Sequence, residues 1–188
     1  MKYALMIRND ALSKETALKI KEGLKDFFIY DDQNPDLVIS IGGDGTILEA
    51  VHHYLNKDCC FVGIHTGTLG FYTDYQVDQV DQFIKDVTSR EFTTMKRYLL
   101  EIKVNKKNQS ETYYALNELR LDQGLQAQVI HVYINDVLFE VFRGNGLCVS
   151  TPSGSTAYNK SLGGAIIYPG IPLMQMTDCL LYTSDAAD

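Results

Sequence analysis

Apolar positions between residues 2 and 88 fall alternately in short unbroken runs and at helical spacing. Residues 2–7 read as a first strand. Ser13 is placed to cap a following helix on which Leu18, Ile20, Leu24 and Phe27 are apolar. The run from Asp36 to Ile41, rich in Val and Ile and bounded by Pro35 and Gly42, predicts a buried strand. Beyond it Ile47, Ala50, Val51 and Leu55 keep helical spacing, and Thr46 with Glu49 fits a capping box that would start the helix. A strand over 59–64 follows. The loop 65–74 then leads to a helix carrying Val77, Val80, Phe83, Ile84 and Val87. Such alternation predicts a parallel sheet covered by helices, whose ligands sit at the carboxyl ends of the strands.

The texture changes after Arg90. Extended stretches dominate at 98–104, 111–116, 128–134 and 137–142. A polar turn over 105–110 joins the first two, and Asn135-Asp136 is a two-residue hairpin signal between the others. The expected architecture is a Rossmann-like α/β domain over 1–95, then a β-rich, sandwich-like domain over 96–178. No Pro- or Ser-rich linker separates them, and there is no repeat or low-complexity tract.

Charge narrows the function classes. A formal net charge of -7 and a pI near 5.0 argue against a general nucleic-acid binder, which shows a basic face. They allow a nucleotide substrate whose phosphates are met by backbone amides. No apolar run approaches the ~20 residues needed to span a bilayer, and residues 1–8 read as a strand, not a signal peptide. Four cysteines without a CxxC pair predict free thiols in a reducing cytoplasm, with Cys59, Cys60 and Cys148 in the core. His52 and His53 lack carboxylate or Cys partners at ligand spacing, so no metal site is expected there. His131 is expected half-exposed in a strand. There is no Walker lysine and no G-x-S-x-G elbow.

Candidate chemistry gathers at three places. The first is GGDGT (42–46), between strand and helix. Gly42, Gly43 and Gly45 would let backbone N–H groups approach a phosphate, with Thr46 at the helix start. A carboxylate beside a phosphate is repelled unless it holds a metal or accepts a proton, which singles out Asp44. The alternative is a turn in which Asp44 bonds its own backbone. The second place is Asn117-Glu118, a pair suited to a ribose or base edge; alone it reads equally as a solvated turn. The third is the stretch from Arg143 to Tyr158, where five hydroxyl residues crowd a strand end before an expected helix and Tyr158 offers a ring for stacking. A simple capped helix uses one or two hydroxyls, not five.

In this order, GGDGT, GxLGF (67–71) with Tyr72-Thr-Asp74, NE (117–118) and TPSGSTAY (151–158) with Ser161 and Gly163-Gly164, the chain resembles the NAD kinases, particularly the short enzymes of low-GC Gram-positive bacteria. The likeness covers residues 1–177. GGDGT is shared with diacylglycerol, sphingosine and, in a variant, phosphofructokinases; TPSGSTAY with NE upstream is far more specific. The resemblance implies transfer of phosphate from ATP, or polyphosphate, to the 2′-hydroxyl of the adenosine ribose of NAD, giving NADP. It also implies a divalent cation, normally Mg2+, and a homodimer or homotetramer with the dinucleotide between domains. Asp44 would be the proton acceptor. Gly45, Phe71 and Tyr72 would line the cleft, and Asn117 and Glu118 would hold the adenosine. Ser153, Thr156, Ala157, Tyr158, Asn159, Lys160 and Ser161 would surround the bases and ribose, with Arg143 and Asn145 as further contacts. A lipid or sugar kinase of the same GGDGT group, or a non-catalytic dinucleotide binder, is the competing reading.

Two departures stand out. The family usually reads Gly-Asp-Gly where this chain has Gly144-Asn145-Gly146. It also continues past residue 177, whereas residues 179–188 match one reading frame of a transposon-end adapter used in sequencing libraries. That tail is expected to be a scar, and the second domain to be incomplete.

Overall fold

The computed structural model describes residues 1–67, 70–124 and 126–179. The chain divides into two compact units, residues 1–94 and 95–188.

In the first unit β1 (Lys2–Ile7), β2 (Ile29–Tyr30), β3 (Leu37–Gly42), β4 (Cys60–His65) and β5 (Tyr75–Gln76) form one parallel sheet in the order β2-β1-β3-β4-β5. The order reverses at β1, as in doubly wound folds. Every residue of the central β3 is buried, which explains its unbroken apolar run. Its side chains alternate between two cores. Leu37, Ile39 and Ile41 pack with Ile20 and Leu24 of α1 (Ala11–Leu24) and Val80, Phe83 and Val87 of α3 (Val80–Ser89). Val38 packs on the other face with Ala4, and with Ala50 and Tyr54 at the end of α2 (Asp44–His53). Gly23 lets α1 and α3 approach, since a Cβ there would lie 2.5 Å from Ile84 Cδ1.

The helix starts differ from the sequence expectation. Asp10, not Ser13, caps α1: Ser13 N–H donates to Asp10 Oδ1 at 2.9 Å. Gly43, not Thr46, caps α2, and Thr46 Oγ1 accepts from Gly43 N–H at 3.4 Å. In both cases the predicted cap occupies the third helical position, where a short hydroxyl reaches the helix start equally well. Leu18 and Phe27, expected on the apolar face, are exposed, and Phe27 lies beyond the helix. Cys60 is exposed rather than in the core, and Cys59 is half-buried.

The second unit is antiparallel. β6 (Leu100–Lys106) pairs with β7 (Gln109–Ala115), and β9 (Gln128–Ile134) with β10 (Val137–Gly144). Asn135 and Asp136 both adopt left-handed φ, 50° and 63°, as the predicted tight turn requires. A three-stranded sheet, β12-β11-β8, joins β8 (Glu118–Asp122), β11 (Gly146–Ser150) and β12 (Gln175–Cys179). β12 includes Cys179, the first residue of the expected tail, which is buried and pairs with Gly146; residues 180–188 lie outside the described residues. The helix expected after TPSGSTAY is one turn, α4 (Tyr158–Ser161), preceded by a 3-10 turn at Ser153–Thr156. His131 is exposed in β9. Among the described residues no helix is long and apolar enough to cross a membrane.

Candidate active site

In the first unit the carboxyl ends of β1, β3 and β4 lie side by side. Gly42 closes β3, Gly43 caps α2, Asp44 is the first helical residue and Gly45 is exposed behind it. A Cβ on Gly42 would lie 2.1 Å from Thr46 Oγ1, so the glycine makes room for the bond that fixes the helix start. A Cβ on Gly45 would meet nothing within 4 Å, so no packing inside the chain demands that glycine.

The Asp44 carboxylate is held from the loop after β4. Phe71 N–H donates to Oδ2 at 3.0 Å and Tyr72 N–H to Oδ1 at 3.1 Å. Gly70 is part of the same device, because a Cβ there would stand 2.3 Å from Oδ1. Amides of one loop thus aim a carboxylate that opens the helix of another. Tyr72 is buried and Phe71 is 61% exposed. Thr68 and Leu69 of the GxLGF stretch lie outside the described residues.

Two further side chains reach the turn that sequence alone did not single out. Arg8 follows β1, with its N–H donating to Ile41 O at 2.9 Å. Its Nε donates to Asp10 Oδ2 at 2.6 Å and its Nη2 to Thr66 O at 3.3 Å. His65 ends β4, is 6% exposed, and accepts from Gly67 N–H on Nδ1 at 3.0 Å. Neither belongs to the glycine motif; only the sheet order brings them to it.

The second unit organises its predicted residues around Asn117 and Glu118, at the start of β8. Thr151 N–H donates to Asn117 O at 2.8 Å and Thr151 Oγ1 to Leu116 O at 2.5 Å. Thr151 Oγ1 also accepts from Gly154 N–H at 2.9 Å. A Cβ on Gly154 would lie 2.1 Å from Asn117 O, so only glycine lets the loop rest there. Glu118 is half-buried. Its Oε2 has no hydrogen-bond partner among the described residues, and neither does the buried Ser150 Oγ on the paired position of β11. Burial pushes the Glu118 carboxyl up from its ordinary value, against the pull of Arg120.

Several hydroxyls of the 143–158 stretch turn inward. Ser155 Oγ donates to Pro152 O at 2.7 Å and accepts from Ile167 N–H at 2.9 Å. Ser153 Oγ accepts from Arg97 Nη1 at 3.1 Å. Asn159, expected around the ligand, is fully buried. Its amide nitrogen bonds Ser155 O, Ala165 O and Gln175 Oε1, and its oxygen accepts from Thr177 Oγ1, so it braces the loop from beneath. Thr156, Ala157 and Tyr158 are half-buried, and Lys160 and Ser161 lie exposed on α4. One face of the Tyr158 ring, expected to be open for stacking, is covered by the Arg120 guanidinium 3.9 Å from its centroid. Arg143 is exposed near the end of β10. Asn145 links β10 to β11, its carbonyl accepting from Gln128 Nε2 at 3.0 Å. The Cys148 thiol is pushed up to about 11 by burial and by Glu118, so it stays protonated and inert.

Known proteins match this arrangement over nearly the whole chain. Residues 7–92 match the ATP-NAD kinase N-terminal domain and residues 116–183 the ATP-NAD kinase C-terminal domain. NAD kinase 1 of Bacillus anthracis is 45% identical over 183 residues, covering 95% of this chain and 69% of that protein. The NAD kinase of Staphylococcus aureus (strain Newman) is 44% identical over 185 residues, with 95% and 68% covered. Two solved structures share the fold. Yeast NADH kinase complexed with NADH has a TM-score of 0.84 at 22% identity, with 94% of this chain and 65% of that one covered. An NAD kinase from Archaeoglobus fulgidus in complex with ATP has a TM-score of 0.75 at 24% identity, with 94% and 71% covered. The chain thus spans 65% of the yeast protein's structure and about two thirds of its curated bacterial relatives. With both domain models matched in order, and relatives near 45% identity along its length, the chain belongs to the ATP-NAD kinase family.

Proposed function

We propose that the chain phosphorylates the 2′-hydroxyl of the adenosine ribose of NAD, with ATP as donor, and that Asp44 accepts the hydroxyl proton. In that step the ribose oxygen forms a bond to the terminal phosphorus, the bond from that phosphorus to its bridging oxygen breaks, and ADP leaves. The observation that carries the reading is the Asp44 carboxylate, held by the amides of Phe71 and Tyr72 beside the glycine turn. Each oxygen keeps a further lone pair with which to accept a proton. Phosphoryl transfer asks little else of side chains beyond positioning and charge.

Gly42, Gly43, Gly45 and Thr46 at the start of α2 would meet the donor's phosphates, where amides and the helix dipole favour negative charge. Glu118 supports the nucleoside role in a second way: a buried carboxyl oxygen, Oε2, without a hydrogen-bond partner among the described residues suits a ribose hydroxyl or an adenine amine. Asn117, Phe71, Tyr72, Arg143, Asn145, Ser153, Thr156, Ala157, Tyr158, Lys160 and Ser161 are the proposed surroundings of NAD, and Asn159 their support. Magnesium fits as the donor's companion, because it prefers one or two carboxylates plus phosphate oxygens, and Asp44 is the carboxylate at the turn. Among the described residues no group of three His, Cys, Asp or Glu could hold it alone. When bound, the ion would offset phosphate charge. The chain is expected to act in a reducing cytoplasm, consistent with its free cysteines, as a homodimer or homotetramer.

The test is NADP formation from NAD and ATP by the parental chain and by Asp44→Asn. The variant keeps the shape but not the base, and turnover should fall by roughly 10²–10⁴ while NAD affinity changes little. Near-parental turnover would remove Asp44 from the role.

A further inference from the structure

The glycine turn is overlooked by two nitrogen donors from neighbouring strands. A Cβ built on Gly43 would lie 3.9 Å from Arg8 Nη1 and 3.9 Å from His65 Nε2, and one built on Gly67 would lie 3.7 Å from the same Arg8 nitrogen. The two donors therefore converge on the space beside Gly43 that the missing side chain leaves open. Neither atom bonds another described residue. Arg8 is bonded through Nε and Nη2, and His65 through Nδ1. Because Nδ1 accepts from Gly67 N–H, the neutral ring carries its proton on Nε2, facing the turn. His65 is 94% buried by its 6% exposure, so its aim is set by packing.

Both side chains are held from behind. Asp10 bonds Arg8 Nε and at the same time caps α1 through Ser13. Ser13 Oγ lies 2.7 Å from Thr66 Oγ1, which ties the loop after β1 to the loop after β4. Arg8 Nη2 on Thr66 O repeats that tie. The result is a braced pair of donors, one fully charged, above amides that already favour an anion.

We infer that Arg8 and His65 are positioning residues that grip a non-bridging oxygen of the donor's phosphates beside Gly43. This rests on the reading that those phosphates lie at the glycine turn. The chemistry fits phosphate better than carboxylate, since a phosphate has oxygens to spare for two side-chain donors and for the backbone. Neither residue touches the proton transfer, so their contribution is to binding and alignment.

Titration calorimetry of the full chain with ATP, with adenosine and with NAD tests this. His65→Asn keeps an acceptor for Gly67 N–H but loses the distal donor, and Arg8→Gln loses the charge. Each should weaken ATP binding about tenfold, the low end for a hydrogen bond to a charged group. Adenosine and NAD should stay within about twofold of parental, and Arg8→Lys should recover part of the ATP loss. Unchanged ATP affinity in both variants, beside a parental chain that binds ATP, overturns the inference and leaves the glycine-turn reading standing. Equal losses for ATP, NAD and adenosine also overturn it, because they mark a merely structural role. A parental chain that binds NAD but not ATP overturns the glycine-turn reading itself.

Discussion

Gly70→Ala separates the needs of folding from those of catalysis. The new methyl would sit 2.3 Å from Asp44 Oδ1 and 2.8 Å from its Cγ. Ordinary contact begins about 1 Å farther out, so the carboxylate has to move by about that much. Gly70 has no left-handed φ, so the conflict is steric and not one of backbone strain. What gives way is the end of a side chain, and the loss is its bonds to Phe71 and Tyr72 N–H. The first is exposed and the second part-buried, and water replaces them readily, so together they stabilise the fold by about 1 kcal/mol, a few degrees in melting temperature. The effect on turnover is larger, because a misplacement of about 1 Å can cost about 10²-fold. Turnover measured by coupled NADP detection should therefore fall about a hundredfold while the thermal melt moves little. The double variant Gly70→Ala, Asp44→Asn should be scarcely worse than Asp44→Asn alone, since both act through one carboxylate. Parental turnover in Gly70→Ala, or full additivity in the double variant, would refute the argument.

Gly154→Ala should behave oppositely: its Cβ would lie 2.1 Å from the Asn117 backbone oxygen, which cannot swing aside, so a loss of about 1–3 kcal/mol in a denaturant melt is expected. Asn145→Asp restores the family's usual acid and should lower the NAD Michaelis constant several-fold, leaving the ATP constant unchanged, when the two substrates are titrated separately. Tyr75 donates to Asp86 Oδ2 at 2.9 Å, and burial with that bond raises its phenol to about 12 from 10.0. A raised folded-state value stabilises the fold fully below pH 10 and is lost as pH rises toward 12, so Tyr75→Phe should flatten that alkaline decline in a melt series.

The layered first unit was legible because its periods are strong. β3 is an unbroken apolar run because both its faces are covered, and α3 carries Val80, Phe83 and Val87 at helical spacing. The hairpin at Asn135-Asp136 was legible because few residues accept left-handed φ. The caps were not, because a hydroxyl at the third helical position and one at the cap make similar local bonds. Leu18 and Phe27 misled because apolar residues at surfaces obey no period. Arg8 and His65 stayed hidden for a different reason. They lie 35 and 22 residues from Gly43 in the chain, and only the β1-β3-β4 adjacency brings them to it. Asn159 came with the stretch that carries the resemblance, and a sequence does not tell which way an amide turns; its side chain bonds inward to Ser155, Ala165, Gln175 and Thr177.

The inward hydroxyls of TPSGSTAY bear on how such a signature should be interpreted in other chains. Thr151, Gly154 and Ser155 are fixed by Leu116, Asn117, Pro152 and Ile167, all groups of the chain itself. Selection for a stable loop would therefore preserve these letters even after catalysis had been lost. A relative could carry the motif intact and be a silent binding protein. Residues that cost stability or give it nothing, such as Glu118, whose Oε2 has no hydrogen-bond partner among the described residues, and the unconstrained Gly45, are the better witnesses that a descendant still works.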